Sequence, residues 1–178
     1  NIETIAGMIT CWRIDENMYK VRLNDVTVQK DMEIEACGSK YDCVYMELGD
    51  PGIPHVTLRV KDLSYERREE LRPLGEALRR YRAFPKGANV NFYEIIGNDA
   101  VYERTYERGV EDFTLACGTG TASVAAVLRE KGFTDGRNVK INVPGGELII
   151  DISGEGIFLT GPTEVVCEGY VNAKELLR

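Results

Sequence analysis

A run of sixteen residues without a charged side chain, residues 113–128 (FTLACGTGTASVAAVL), most constrains the fold, because 29% of the 178 residues in this chain are charged. Residues 121–128 contain only Ala, Val, Leu, Ser and Thr, and we predict a helix that begins at Thr119 or Gly120. A surface helix shows a polar face about every 3.6 residues, and this segment shows none before Arg129. The helix is therefore predicted to be buried on nearly all sides.

The rest of the chain is rich in short stretches in which apolar and polar side chains alternate, the pattern of strands. One predicted strand follows a proline-bearing turn and ends near Val60, and a hairpin turns at Gly97 and Asn98. The other predicted strands, including the two of that hairpin, cover residues 2–14, 18–24, 26–36, 41–49, 88–96, 100–107, 138–143, 146–153, 156–160 and 164–171. Together they predict an α+β fold in which a strand-rich sheet wraps the buried helix.

Two further helical segments are predicted. Residues 64–82 can form a helix that Ser64 caps, with Arg67 paired to acidic neighbours one turn away. Pro73 is expected to divide this helix into two pieces, because proline lacks a backbone N–H and clashes with the preceding turn. The tail, residues 172–178, is also predicted to be helical.

Composition excludes several classes of function. A net charge of −7 without any block of Lys or Arg argues against a nucleic-acid partner. No apolar run approaches the roughly 18 residues that span a bilayer, so no membrane partner is expected. Five cysteines, an odd number without a compact framework, indicate free thiols and a cytoplasmic protein. A single histidine argues against a zinc site, so no metal is expected.

Cys117 lies just before the predicted helix, where unpaired N–H groups and the helix dipole favour negative charge. We expect this position to lower the pKa of the thiol and to make it a usable base or nucleophile. The N–H groups of Gly118, Thr119 and Gly120 can hold a carboxylate, because glycine permits close approach of the backbone. The alternative is a buried cysteine that only packs, followed by glycines that only turn the chain.

The same residues carry a family resemblance. TYERGVEDFTLACGTGTASVAA resembles the carboxy-terminal active-site segment of diaminopimelate epimerase, a cofactor-independent isomerase of lysine biosynthesis. FPKGANVNFYEI, VPGGELIIDI and LTGPTEVVCEGYV are similar to that family in the same order. The resemblance implies two barrel-like lobes, each around a central helix, with an amino-acid substrate between them. It also implies two cysteines, one per lobe, that remove and deliver the α-proton from opposite faces without pyridoxal phosphate or metal.

The resemblance assigns roles to individual residues. Cys117 matches the catalytic cysteine of the carboxy-terminal lobe, and His55 matches a histidine that assists acid-base transfer. The expected substrate contacts are Gly118 and Thr119 for the α-carboxylate, Glu107 (also assigned a catalytic role) and Arg108 from the Glu-Arg-Gly motif, and Asn89. Without the motif, Glu107 and Arg108 also fit an ordinary charged strand end, Asn89 a turn, and His55 a structural histidine.

The sequence also departs from the family. The cysteine of the amino-terminal lobe has no match, since Cys37 is followed by glycine but by no uncharged helix. We therefore interpret residues 1–178 as a single carboxy-terminal lobe, with residues 1–23 and 164–178 as junctions to an amino-terminal lobe. Ile53 replaces an asparagine and Phe113 an acidic residue, so the distal end of the substrate is expected to differ. Cys167 replaces a tyrosine associated with dimer contact, which leaves a homodimer open.

Three functions fit these observations: half of a two-thiol diaminopimelate epimerase, a racemase or isomerase of another small carboxylate, and a non-catalytic lobe that binds a carboxylate. A cysteine hydrolase that pairs Cys117 with His55 is chemically feasible but lacks a supporting motif. The glycine-rich CGTGTAS lacks the lysine of a phosphate loop, which argues against a nucleotide site.

Overall fold

The computed structural model describes residues 1–4, 7–63, 67–97 and 100–170. These residues form thirteen strands and two helices. The strands are β1 (Ile2–Thr4), β2 (Gly7–Ile9), β3 (Cys11–Asp15), β4 (Met18–Leu23), β5 (Val26–Ala36), β6 (Ser39–Leu48), β7 (Ile53–Arg59), β8 (Asn89–Ile95), β9 (Ala100–Glu107), β10 (Asp112–Phe113), β11 (Val139–Val143), β12 (Gly146–Ser153) and β13 (Gly156–Pro162). The helices are α1 (Arg68–Arg79) and α2 (Gly118–Glu130).

One sheet contains all described strands except β1 and β2, which pair with each other. Its order is β3-β4-β13-β12-β11-β9-β8-β7-β6-β5, and β10 pairs with β9. The two ends of the sheet approach each other because only Asn24 and Asp25 join β4 to β5. After α2, Lys131 pairs with Asp31 on β5 at 3.2 Å. The sheet therefore curls around α2, which confirms the predicted α+β fold with a central buried helix.

The two helices lie on opposite faces of the sheet, and the strand directions explain why. β7 and β8 are parallel and joined through α1, and β9 and β11 are parallel and joined through α2. Both crossovers move along the sheet in the same direction, but β9 runs antiparallel to β8. Because such crossovers are right-handed, reversing the strand direction moves the second helix to the other face.

Each face carries its own core. We call the side of β7, β8 and β9 toward α2 the inner face and the side toward α1 the outer face. The core around α2 includes Val124, Leu128 and Ile141, all at most 2% exposed. The core under α1 includes Leu78 and Phe92, both fully buried. Because successive side chains of a strand alternate, β6, β8 and β9 contribute to both cores.

The structure corrects two predictions of secondary structure. Pro73 lies inside α1 and does not divide it. Losing a backbone bond there costs about 3 kcal/mol, but burying Leu74 and Leu78 against the sheet contributes roughly 2 kcal/mol each. The strand predicted for residues 164–171 was wrong. Strand pairing in the described chain ends at Pro162, and residues 163–170 are irregular and exposed.

Other predictions are confirmed or fall outside the described residues. Helix α2 begins at Gly118, one or two residues before the predicted start at Thr119 or Gly120, and its first eleven residues include eight that are buried. Arg67 pairs with Glu70 at 2.8 Å, as predicted. Ser64, Asn98 and the predicted helix at residues 172–178 lie outside the described residues. Among those described, no helix has both the length and the apolar character needed to cross a bilayer.

Candidate active site

Strand register brings His55, Asn89 and Glu107 to one edge of the sheet, and the contact of Thr119 with His55 places the start of α2, with Cys117, beside them. His55 pairs with Asn89 at the starts of the parallel strands β7 and β8. β9 runs antiparallel to β8, with Tyr106 opposite Val90, so Glu107 at its end reaches the same edge. Cys117 is the N-cap of α2, with extended backbone angles (φ −134°, ψ 101°).

The Cys117 side chain is 9% exposed, and its Sγ lies 3.9 Å from Thr119 Oγ1. Burial raises the pKa of this thiol to about 11; the Gly120 N–H opposes that rise, and the carboxylates of Glu103 and Glu107 add to it. The expected lowering of the thiol pKa is therefore wrong for this chain. Helix N–H groups act in the predicted direction, but withdrawal of the thiol from water has the larger effect.

The first turn of α2 presents backbone donors beside the sulfur. The first bond within the helix runs from Thr121 N–H to Cys117 O at 2.8 Å. The N–H groups of Gly118 and Thr119 precede that bond, so the helix geometry leaves them without an intrahelical acceptor. They are suited to hold a carboxylate next to the thiol.

His55 is fully buried between two polar side chains. Its Nδ1 lies 3.0 Å from Asn91 Oδ1, and its Nε2 lies 3.0 Å from Thr119 Oγ1. Burial lowers the pKa of His55 to about 4, although the bond to Asn91 opposes this shift. The imidazole is therefore neutral at neutral pH and holds Thr119 from beneath the helix.

The Glu-Arg-Gly motif forms a turn after β9. Gly109 adopts φ +93°, a conformation that favours glycine, and its N–H donates to Glu111 Oε1 at 3.1 Å. Asn89 Oδ1 accepts a bond from the Arg108 N–H at 2.8 Å, and Asn89 Nδ2 donates to Pro54 O at 3.3 Å. Asn89 thereby fixes the Glu107–Arg108 corner against the start of β7.

The sequence also drew attention to Phe113, Cys37 and Ile53, which lie outside the group of residues described above. Phe113 packs edge-on against Tyr106 in the outer core, with ring centroids 5.5 Å apart, and its effect on the distal end of the substrate stays a prediction. Cys37 is exposed at the turn before β6. On β6, Met46 is the residue paired with His55 across the strands, and it lies seven residues from Ser39, roughly 23 Å at the usual rise of a strand. Cys37, just before Ser39, is therefore far from His55. Ile53 is half-buried at the start of β7.

Sequence reasoning missed a buried polar network beneath the first turn of α2. Glu103 is fully buried and accepts bonds from Thr121 Oγ1 at 2.7 Å, Asn91 Nδ2 at 3.0 Å and Thr105 Oγ1 at 3.3 Å. Burial raises the pKa of Glu103 to about 7, against the lowering effect of these bonds. Period-two alternation along β9, which puts Glu103 on the same face as Glu107, is the signal that could have found it.

Gly120 lets this network approach the helix. A Cβ at position 120 would lie 2.1 Å from Asn91 Nδ2 and 3.2 Å from Glu103 Oε1. The second glycine of the CGTG segment therefore allows the helix to pack closely on polar side chains.

Within the described residues, no group of three or more His, Cys, Asp or Glu side chains is placed to hold a metal ion.

This site lies in a chain with clear relatives. The family model for diaminopimelate epimerase matches residues 48–166. Diaminopimelate epimerases from Archaeoglobus fulgidus and Aquifex aeolicus are 33% and 35% identical to this chain. Each match covers 98% of this chain, and the two matches cover 64% and 62% of the respective relatives. The chain thus spans about three fifths of the length of these curated relatives.

A structural match agrees on the fold. The crystal structure of a probable proline racemase from Agrobacterium radiobacter K84, with bound carbonate, superposes with a TM-score of 0.66 at 18% identity. It covers 93% of this chain and 59% of that one. With a family model that matches more than half of its residues, this chain belongs to the diaminopimelate epimerase family.

Proposed function

We propose that this chain is the carboxy-terminal lobe of a cofactor-independent amino-acid epimerase in which Cys117 is one of two acid-base thiols. The observation that carries the proposal is the placement of Cys117 at the first turn of α2. There the thiol adjoins the amides of Gly118 and Thr119, and it lies at the sheet edge that Asn89 and Glu107 reach.

In this proposal the amides of Gly118 and Thr119 hold the α-carboxylate, so that the α-hydrogen of the substrate lies near the sulfur. Glu107 and Arg108 supply a negative and a positive contact to the rest of the substrate. The Asn89 amide keeps one N–H for the substrate after donating to Pro54. These contacts set the orientation that proton transfer requires.

The proton transfer balances between two sulfurs. With a raised pKa, Cys117 rests as a thiol and can deliver its proton to the α-carbon. A thiolate on the opposite face takes the original α-proton, so configuration inverts, Cys117 becomes the thiolate and the other sulfur becomes the thiol. In the reverse direction, the ammonium group of a bound amino acid stabilises the Cys117 thiolate and lowers its pKa.

His55 acts indirectly in this scheme. Its lowered pKa keeps the ring neutral, and both ring nitrogens already contact Asn91 and Thr119. Direct proton exchange with the substrate would break one of these bonds. We therefore assign His55 the task of holding Thr119, whose hydroxyl adjoins the sulfur.

The substrate we favour is diaminopimelate, interconverted between the L,L and meso forms in lysine biosynthesis. The family membership of the chain supports this choice. A second candidate is a racemase or isomerase of another small carboxylate. Ile53 supports it, because a side chain without hydrogen-bonding groups cannot replace the polar contact of the asparagine expected there. A lobe that only binds a carboxylate is the third.

The amino-terminal lobe of the same protein is the partner we propose, with residues 1–23 and 164–178 as the junction. Exposed apolar side chains at both ends support this assignment: Ile2 and Met8 are 55% and 61% exposed, and Val166 is 91% exposed. An apolar surface of this kind suits a protein contact. Reading the coding sequence upstream of Asn1 tests the assignment, which requires a second cysteine there. Homodimerisation and cytoplasmic location stay predictions.

The deciding experiment measures α-proton exchange by NMR in heavy water, using the protein as its gene encodes it. L,L-diaminopimelate and a panel of small amino acids serve as substrates. We expect exchange with diaminopimelate and a loss of about 10³-fold or more in Cys117→Ala, since a general acid or base contributes roughly that much.

Three outcomes separate the candidates. Exchange of another amino acid but not of diaminopimelate selects the second candidate. Carboxylate binding without exchange of any substrate selects the third. Undiminished exchange in Cys117→Ala, with Cys37→Ala as the matched cysteine control, overturns the role of Cys117.

A further inference from the structure

A continuous chain of side-chain contacts links the candidate catalytic thiol to the buried acid. Cys117 Sγ lies 3.9 Å from Thr119 Oγ1, which lies 3.0 Å from His55 Nε2. On the other side of the ring, His55 Nδ1 lies 3.0 Å from Asn91 Oδ1. Asn91 Nδ2 then donates to Glu103 Oε1 at 3.0 Å. The chain runs from the start of α2 through β7 and β8 to the middle of β9.

Glu103 determines which atom donates and which atom accepts in each of these hydrogen bonds. Above its raised pKa of about 7, Glu103 is an ionised carboxylate, which can only accept hydrogen bonds. The two N–H groups of the Asn91 amide point to Glu103 Oε1 and Thr105 Oγ1, at 3.0 and 2.8 Å. The amide oxygen of Asn91 must therefore face His55, which makes His55 Nδ1 the donor.

The rest of the chain follows from that assignment. A neutral imidazole that carries its proton on Nδ1 has a lone pair on Nε2. Thr119 must then donate its only hydroxyl hydrogen to His55 Nε2. The Thr119 oxygen is left as an acceptor toward Cys117, so it receives the S–H of the thiol.

We propose that Glu103 is a positioning residue that sets the direction of this hydrogen-bond chain and thereby holds Cys117 in its proton-donating thiol form. In this direction the hydroxyl next to the sulfur presents a lone pair, which favours S–H and disfavours a thiolate. The negative charge of Glu103 acts in the same sense. The consequence for catalysis rests on the proposed function, because it makes Cys117 the proton donor of the resting enzyme.

Both neutral donors and titratable side chains surround the buried carboxyl of Glu103. Its hydrogen-bond donors Thr105, Thr121 and Asn91 are neutral. The titratable and charged groups around the network are His55 from β7, Tyr93 opposite Glu103 on β8, Arg104 and Glu107 on β9, Arg108 after β9, and Cys117 at the start of α2. The proposal therefore concerns one carboxylate, one imidazole and one thiol that are joined through Asn91 and Thr119.

The single histidine of the chain makes the direction measurable. With histidine labelled by nitrogen-15, the two ring nitrogens of His55 show by NMR which one carries the proton. We expect a proton on Nδ1 and none on Nε2 at pH 8, where Glu103 is ionised, in the wild-type protein. In Glu103→Leu the Asn91 amide loses its acceptor, so we expect loss of this single tautomer.

A second readout follows the thiol. Peptide-resolved mass spectrometry gives the rate at which iodoacetamide alkylates Cys117 as a function of pH. In Glu103→Gln the amide oxygen still accepts from Asn91, so the tautomer of His55 is kept while the charge is removed. We expect alkylation of Cys117 to accelerate roughly tenfold at pH 8 and above, where wild-type Glu103 is ionised, as for a fall of about one pKa unit.

Glu94→Gln is the matched control. Glu94 lies on the outer side of β8 and accepts backbone N–H groups from Asp62 and Leu63 at 2.9 and 2.8 Å. This variant removes a carboxylate from the same strand pair without touching the network. We expect unchanged His55 resonances and unchanged alkylation of Cys117.

The outcomes decide the proposal separately from the function. A proton on Nε2 in the wild type, or an unchanged tautomer and alkylation profile in Glu103→Leu, overturns it. If Glu103→Leu does not fold, an unchanged alkylation profile in Glu103→Gln overturns it instead. These readouts need no substrate, so an absence of α-proton exchange in the wild type defeats the proposed function while leaving the Glu103 chain to stand or fall by itself.

Discussion

The inner and outer faces of β7, β8 and β9 have opposite chemistry although the same three strands form both. On the outer face, Val56, Leu58 and Phe92 pack under α1 and are at most 1% exposed. On the inner face, Asn91 and Glu103 are equally buried but polar, and they meet the first turns of α2. Burial is thus the same for these two groups of residues, and only the type of side chain differs.

The two faces therefore contribute differently: the outer face mainly to stability and the inner face mainly to the geometry of the site. Each large apolar side chain on the outer face contributes roughly 2 kcal/mol by leaving water, with little directional preference. A polar group on the inner face costs free energy when buried unless it is hydrogen-bonded, so it contributes mainly by fixing angles and distances. We therefore expect outer-face substitutions to lower the free energy of unfolding and inner-face substitutions to change proton positions.

The largest expected effect is on the outer face. Phe92→Ala removes a fully buried ring, and we expect the free energy of unfolding to fall by about 3–5 kcal/mol. Urea unfolding followed by circular dichroism measures this. The His55 resonances of the folded variant should match those of the wild type. A loss below about 1 kcal/mol, or a changed His55 tautomer, would contradict the separation of the two faces.

The second prediction concerns pH and the inner face. The folded-state pKa of His55 is lowered to about 4, so its contribution to stability is present above its unfolded pKa of about 6.5 and is lost as pH falls. The folded-state pKa of Glu103 is raised to about 7, so its contribution is present below its unfolded pKa of about 4.3 and is lost as pH rises. Between about pH 4.5 and 6.5 the two trends oppose each other.

Glu103→Gln should unmask the trend of His55. Over this pH range we expect the free energy of unfolding to rise with pH more steeply than in the wild type, by about 1.4 kcal/mol per pH unit. Urea unfolding at several pH values measures the slopes, and groups common to both proteins cancel in the difference. Glu94→Gln should keep the wild-type slope. Parallel profiles of wild type and Glu103→Gln would show that Glu103 does not take up a proton in the folded protein.

The third prediction tests the contact between α2 and the polar face. Gly120→Ala places a methyl group 2.1 Å from Asn91 Nδ2, and we expect a loss of stability of about 2 kcal/mol as the network shifts. Gly118→Ala is the matched control, because its methyl group meets only the flexible end of Leu159 at 3.2 Å. Equal losses in the two variants would mean that the general cost of substituting a helical glycine, and not the network, decides the effect.

Much of the fold could be predicted from the sequence because local patterns dominate there. The uncharged segment specified α2 and its burial, and alternation specified most strands. Pro73 and residues 164–170 were predicted wrongly because the outcome depends on distant partners. Packing of Leu74 and Leu78 keeps α1 continuous, and Val166 remains exposed because the described chain offers no neighbouring strand.

The candidate site was only partly predictable. Family resemblance pointed to Cys117, Asn89 and His55; strand register brings Asn89 and His55 to one edge, and the start of α2 places Cys117 beside them. The pKa of Cys117 was predicted in the wrong direction because the extent to which the thiol is withdrawn from water depends on the strands packed around the start of α2. Glu103 was missed because its three donors come from β8, β9 and α2, and only the folded arrangement joins them.

The smallest expected effect compares one thiol from each side of the sheet. Cys43 belongs to the outer core, 5% exposed, and burial raises its pKa to about 12, with Asp42 and Asp31 adding to the rise. Burial raises the pKa of Cys117 to about 11. A difference of about one unit means roughly tenfold more thiolate at Cys117 at any given pH well below both values.

Peptide-resolved alkylation should therefore proceed fastest at the exposed Cys37, more slowly at Cys117 and slowest at Cys43. Both buried thiols are nearly equally withdrawn from water, so their difference reports the donors at the start of α2, which oppose the rise at Cys117. At Cys43 the only described partner of the sulfur is the carbonyl of Met32 at 3.5 Å, an acceptor that favours S–H. Faster alkylation of Cys43 than of Cys117 would mean that the helix start gives the sulfur no advantage over an ordinary core position.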